Sequence, residues 1–143
     1  MMRTLEQKLE CLRNVISNSK EHVLAGDPPR IYSQYIRYAL DEFKDLNFFT
    51  STGASGLKRK DVIHEHIIPH NLIMKKLITL DELTDEKIMA VLNKFYFICQ
   101  ITKDEDKRLN NEGLRSKMPI GWNEERDSVF ARYEKVGISL LRL

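Results

Sequence analysis

A mostly helical α+β fold is what this chain predicts, and three observations carry the prediction. Apolar residues recur at the three-to-four-residue spacing of amphipathic helices through most of its 143 residues. Two short runs rich in β-branched and aromatic residues, Val62–Ile68 and YFICQIT at Tyr96–Thr102, interrupt that spacing and read as strands. Between them lie further helical segments, and the second strand leads directly into an acidic helix.

The elements follow in order. Thr4 and Gln7 form a capping box that opens a helix running to about residue 24, with Leu5, Leu9, Leu12, Ile16 and Val23 on its apolar side. Gly26-Asp27-Pro28-Pro29 ends it. Arg30–Leu46 places Tyr32, Tyr35, Ile36, Ala39, Phe43 and Leu46 on one face and predicts a second helix paired with the first. Residues 47–60, rich in Thr, Ser, Gly and then Lys/Arg, read as a loop. Its glycines lack the spacing of a phosphate-binding P-loop. After the first strand, Asn71–Leu80 and Asp85–Phe95 predict helices. Thr102 with Glu105 forms a second capping box, opening a helix that ends at Gly113. Asn123 predicts the start of a last helix, Glu124–Val136, and the tail ISLLRL is a third short strand or simply docks on the core.

Length and composition narrow the class. The chain has enough residues for one domain, 1–143, with no internal repeat. At 42% hydrophobic and 31% charged it has the composition of a water-soluble protein. No apolar run reaches the length of a membrane span, and the charged N-terminal stretch lacks the apolar centre of a secretory signal. Cys11 and Cys99 stand far apart and form no CxxC pair, which fits a reducing, cytoplasmic setting. The net charge of +2 attracts nucleic acid only weakly, so such binding needs a local patch. Lys58-Arg59-Lys60 is one.

That patch precedes the most informative stretch, DVIHEHIIPHN at Asp61–Asn71, which holds three of the four histidines. Imidazole is the side chain suited to proton transfer and metal binding near neutral pH. On a strand, His64 and His66 point one way, and Glu65 points the other with Ile63 and Ile67. A carboxylate on an apolar face costs free energy unless it meets a cation or several donors, so Glu65 either binds metal or closes a hydrogen-bond network. The helical zinc signature HExxH is absent, because position 68 is Ile. Cys99, inside a hydrophobic strand, has the setting of an inert thiol.

Glu65-His66-Ile67-Ile68-Pro69, Asn93 ahead of FYFIC, and the helix KDEDKRLN come in the order strand, strand, helix. In that order the chain resembles the HNH, or ββα-metal, nucleases over roughly residues 61–113. The resemblance implies a ββα-metal-like core with a two-stranded antiparallel sheet. It also implies hydrolysis of nucleic-acid phosphodiesters with one divalent cation. His66 would be the general base and Asn93 the residue that orients it. Glu65 and Asp106 would be the metal ligands, with Asn110 a substitute on the same helical face. Glu65 stands where the family commonly has Asp, and Asp106 where it has His or Asn. Such an oxygen-lined site favours Mg²⁺ or Mn²⁺ over Zn²⁺. Lys58, Arg59, Lys60, Arg115 and Lys117 would grip phosphates, of DNA rather than RNA.

On this reading the first two helices, 1–46, support the site or form the face of a homodimer, and residues 114–143 add a C-terminal helix and tail. A different class also fits: a non-catalytic helical binding or inhibitor protein, such as one encoded by a mobile element. It would carry an apolar exposed patch on the first two helices and no metal. A structural transition-metal site would instead need His64, His66 and His70 to converge on one ion.

Overall fold

The computed structural model describes residues 2–143, which form six α-helices and a four-stranded mixed sheet, an α+β fold with helix predominating. Helix α1, Leu5–Leu24, starts at the expected capping box, with Gln7 N–H donating to Thr4 Oγ1 and Thr4 N–H to the Gln7 side chain. A 3₁₀ turn at Pro29–Ile31 leads into α2, Ser33–Asp41. Residues 42–46 continue in turns, so the second helix is shorter than its apolar pattern suggests. Helices α3, His70–Ile78, and α4, Asp85–Phe95, follow the first sheet residues. Leu9, Leu12 and Ile16 of α1, Ile36 and Leu40 of α2, Ile73 and Leu77 of α3, and Ile88 and Leu92 of α4 build one apolar cluster.

The sheet corrects the expectation of two strands. Strand β1, Phe48–Ser51, lies inside the stretch that reads as loop, and it is an inner strand. Strands β2, Val62–His66, and β3, Ile98–Thr102, pair antiparallel as expected, with Glu65 opposite Cys99 and His66 opposite Ile98. β1 pairs parallel with β3 and antiparallel with β4, Leu140–Arg142, giving the order β2-β3-β1-β4. Four residues are too few for a periodic signal. What makes FFTS a strand is the neighbour on each side that takes up its backbone groups.

Alternation along the strands separates two interiors. Phe48 and Ile98 face the helical cluster, whereas Phe49, Cys99 and Ile101 face a second cluster with Ile67, Leu109, Leu114 and Tyr133. Helix α5, Lys103–Asn111, follows β3 without a linker and starts at the predicted Thr102/Glu105 capping box. Glu105 is buried there and also accepts from Ser51 Oγ at 2.6 Å, tying the end of β1 to the start of α5. A Cβ on Gly53 would lie 3.3 Å from Glu105 Oε2, so glycine lets this loop approach the buried carboxylate closely.

The last helix is shorter than predicted: α6 covers only Ala131–Lys135. Ahead of it, side chains capture the backbone that a helix would use. Asn123 N–H donates to Asp127 Oδ2 at 2.6 Å, Glu125 N–H to Asn123 Oδ1 at 2.9 Å, and Phe130 N–H to Ser128 Oγ at 3.0 Å. No helix among the described residues is long and apolar enough to cross a membrane.

Candidate active site

β2 is an edge strand, and residues from both its faces line a common cavity of about 490 Å³. Arg37 of α2, Glu65 and His66 of β2, His70 of α3, Asp106 of α5 and Arg115 are in its wall. Residues from four separated parts of the chain therefore meet at one place. Asp106, the acid assigned from the third element of the motif, faces the same space as His66.

Glu65 enters the second cluster, as its alternation requires, and there its Oε1 is held from two sides. Arg132 Nη2 donates to it at 3.3 Å, and the Tyr133 hydroxyl donates to the same oxygen. The Tyr133 oxygen in turn accepts from Cys99 Sγ at 3.4 Å. Arg132 is fully buried and uses all five of its N–H groups. Besides Glu65 it donates to the carbonyls of Leu114 at 2.7 Å, His66 at 2.9 Å, Ile67 at 3.1 Å and Arg115 at 2.8 Å. One guanidinium thus fastens the turn after β2 to the chain after α5. Burial raises the Glu65 carboxyl above its usual range, opposed by Arg132 and Tyr133 and reinforced by the neighbouring Asp106 carboxylate.

His66 enters the other face, 5.5 Å in ring-centroid distance from His70 and 6.0 Å from Tyr96. Burial, followed by the charges of His70, Arg37 and Arg132, lowers its pKa to about 4. At neutral pH the ring is uncharged and has a lone pair to accept a proton. His70 is buried at the first turn of α3, and its Nε2 lies 3.2 Å from the Ser33 carbonyl. A carbonyl only accepts, so Nε2 carries the proton. His70 Nδ1 is then an acceptor, buried and without a partner among the described residues. Burial and Arg37 lower the His70 pKa too.

The oxygen set fits a hard divalent cation. Glu65 Oε1 is occupied by Arg132 and Tyr133, and the Glu65 carboxyl also lies within hydrogen-bonding reach of the Asp106 carboxyl, a contact that raises its pKa. Asp106 brings a second negative charge beside it, a repulsion that a cation between them would relieve. Among the described residues no group of three or more His, Cys, Asp or Glu side chains converges as a metal cage. Mg²⁺ is commonly held by one or two carboxylates plus water and phosphate oxygens, so two acids are sufficient. His64, His66 and His70 do not form a convergent set. His64 is exposed and packs edge-on against Phe48 at 5.3 Å.

Other assigned residues are placed differently. Asn93 is exposed on α4 and is not part of the cavity wall that His66 lines. Asn110 is exposed as well, away from that wall. Arg115 lines the cavity, Arg59 lines an adjoining one, and Lys117 borders a shallow depression beside Trp122. Lys58 and Lys60 are exposed but line neither cavity. Arg132, Arg37 and His70 are participants that periodicity does not reveal. The only sequence signal for Arg132 is indirect: Glu65 needs a partner on an apolar face.

Compared with family models, with curated proteins and with solved structures, the chain matches none.

Proposed function

We propose that this protein hydrolyses phosphodiester bonds in nucleic acid, with a divalent cation held by Glu65 and Asp106 and with His66 as general base. The observation that carries the reading is the shared cavity: Glu65, His66 and Asp106 line it from a β2-β3-α5 unit in strand-strand-helix order. Neutral His66 takes a proton from a water molecule as the water oxygen bonds to phosphorus. The ester bond to the leaving oxygen breaks in the same displacement, and that oxygen is protonated from solvent. When bound, the cation would neutralise charge on the phosphate. The Arg132 clamp fixes the backbone of His66 and the direction of Glu65, so base and acid keep their relative position. Arg115 lies where it can meet a phosphate oxygen. DNA is the expected substrate.

Purified protein incubated with plasmid, single-stranded DNA and RNA, with Mg²⁺ or Mn²⁺ and then with EDTA, tests this. Cation-dependent cleavage is expected, falling by about 10²–10⁴-fold in His66→Ala. Cleavage that survives His66→Ala unchanged would remove the assigned base. No cleavage under any condition would favour a binding protein instead, a reading that has one observation of its own: Ile31, Tyr35 and Tyr38 are exposed on or beside α2.

A further inference from the structure

The cavity at Glu65 and His66 does not end at β2. A second cavity, of about 350 Å³, shares Arg37, His64, Glu65 and His66 with the first and continues toward Lys44 and Arg59. Together they make a groove that passes over the sheet edge and under α2. Four cations line it: Arg115 at one end, Arg37 in the middle, and Lys44 with Arg59 at the other. None of the four has a carboxylate within 4.0 Å among the described residues, although Asp41 lines the same second cavity. The remaining carboxylates of the groove, Glu65 and Asp106, are the pair assigned to the cation. Surface arginines commonly find a carboxylate or fold away. Here, although Arg59 also donates to the Val62 carbonyl at 3.4 Å, they are left facing a shared space, a pattern that suits a ligand carrying regularly spaced negative charge.

We propose that this groove is the track of a polynucleotide backbone, and that Arg37, a residue outside the strand-strand-helix unit, holds the phosphate beside the one that is cleaved. Lys44 and Arg59 hold the next phosphate on the far side of His66. The inference rests on the nuclease reading for what happens at His66, whereas the grip on phosphate is independent of hydrolysis. It gives the N-terminal helices a role: α2 is the wall that turns an open sheet edge into a groove. The guanidinium is suited to this position because it can donate two parallel hydrogen bonds to one phosphate.

Binding separates the two claims. In a His66→Ala background, the affinity for a short DNA duplex and for a single strand is measured across a salt series. The variants are Arg37→Met, the pair Lys44→Met/Arg59→Met, and Lys8→Met on α1, outside the walls of both cavities, as control. Arg37→Met should weaken binding at least tenfold and reduce the slope of log K against log salt by about 0.9 on duplex, one phosphate contact. The double variant also removes one phosphate contact and should reduce the slope by a similar amount, and Lys8→Met by nothing. Equal affinity and slope for Arg37→Met and Lys8→Met, or no binding by any variant, would overturn the groove. Melting curves check that Arg37→Met folds, as expected for an exposed side chain. If binding shows these losses but the unmutated protein cleaves nothing, the groove stands and hydrolysis falls. If cleavage needs His66 while Arg37→Met binds like the control, the groove alone falls.

Discussion

The two faces of the sheet are packed with different materials. On one side, Leu12, Ile16, Ile36, Leu40, Leu77 and Ile88 make an almost wholly apolar interior from four helices. On the other, Cys99, Ile101 and Leu109 share their space with Arg132, Tyr133, Glu65 and, at the start of α5, Glu105. Apolar packing is non-directional and tolerates small rearrangements, so it is suited to holding elements together. A buried guanidinium with five acceptors has only one satisfactory geometry. The polar side therefore specifies where atoms are, and the site lies at its edge.

The sharpest way to break this contrast is Arg132→Met. Removing one partner of a buried ion pair leaves Glu65 with only the Tyr133 hydroxyl and takes the guanidinium donor from four carbonyls, at a cost of about 3–5 kcal/mol. Urea unfolding should record that loss, and any folded fraction should have lost cleavage. Leu12→Ala in the apolar interior should cost a comparable 2–5 kcal/mol, because it leaves a cavity. Yet below its unfolding midpoint it should cleave at nearly the normal rate. If the two variants lost activity in proportion to stability alone, the polar side would be no more than a second core.

A pH series sharpens the comparison further. His66 and His70 are held neutral in the folded protein, with His66 lowered to about 4 and His70 lowered as well. Below the unfolded value near 6.5 the unfolded chain binds protons that the folded chain does not. Stability should therefore fall as pH drops from about 6.5 toward 4, by up to about 3 kcal/mol from His66 alone. The raised Glu65 carboxyl acts oppositely, since the folded state binds its proton more readily and gains as pH falls. Urea midpoints in EDTA should thus show a net acid loss that is smaller in His66→Ala. A flat profile would mean that His66 is not held neutral by burial. The smallest effect is expected of Asn93→Ala: exposed on α4, it should change stability by within about 0.5 kcal/mol and leave cleavage unchanged.

How much of this is legible in the chain depends on the range of the signal. The capping boxes at Thr4 and Thr102 involve residues three apart, and both start helices where read. The alternation of Glu65 and His66 follows from the two-residue repeat of a strand, and the antiparallel pairing of β2 with β3 agrees with the motif order. Phe48–Ser51 escapes because its strand character comes from β3 and β4, distant in sequence. Position in the motif points to Asn93, whereas the turn of α4 leaves it exposed.

Local chemistry by itself determined the helices that have caps and apolar stripes, the two strands of the β2–β3 pair, and the concentration of titratable groups at Glu65 and His66. These depend on interactions within a few residues, whose geometry the backbone repeat dictates. Tertiary structure alone decided that β2 is an edge, that Asp106 and Arg37 reach the same cavity, and that Arg132 is buried against Glu65. Those relations join residues far apart in the chain. They are set by which surfaces exclude water and which buried donors find acceptors, and no short window of sequence contains both partners.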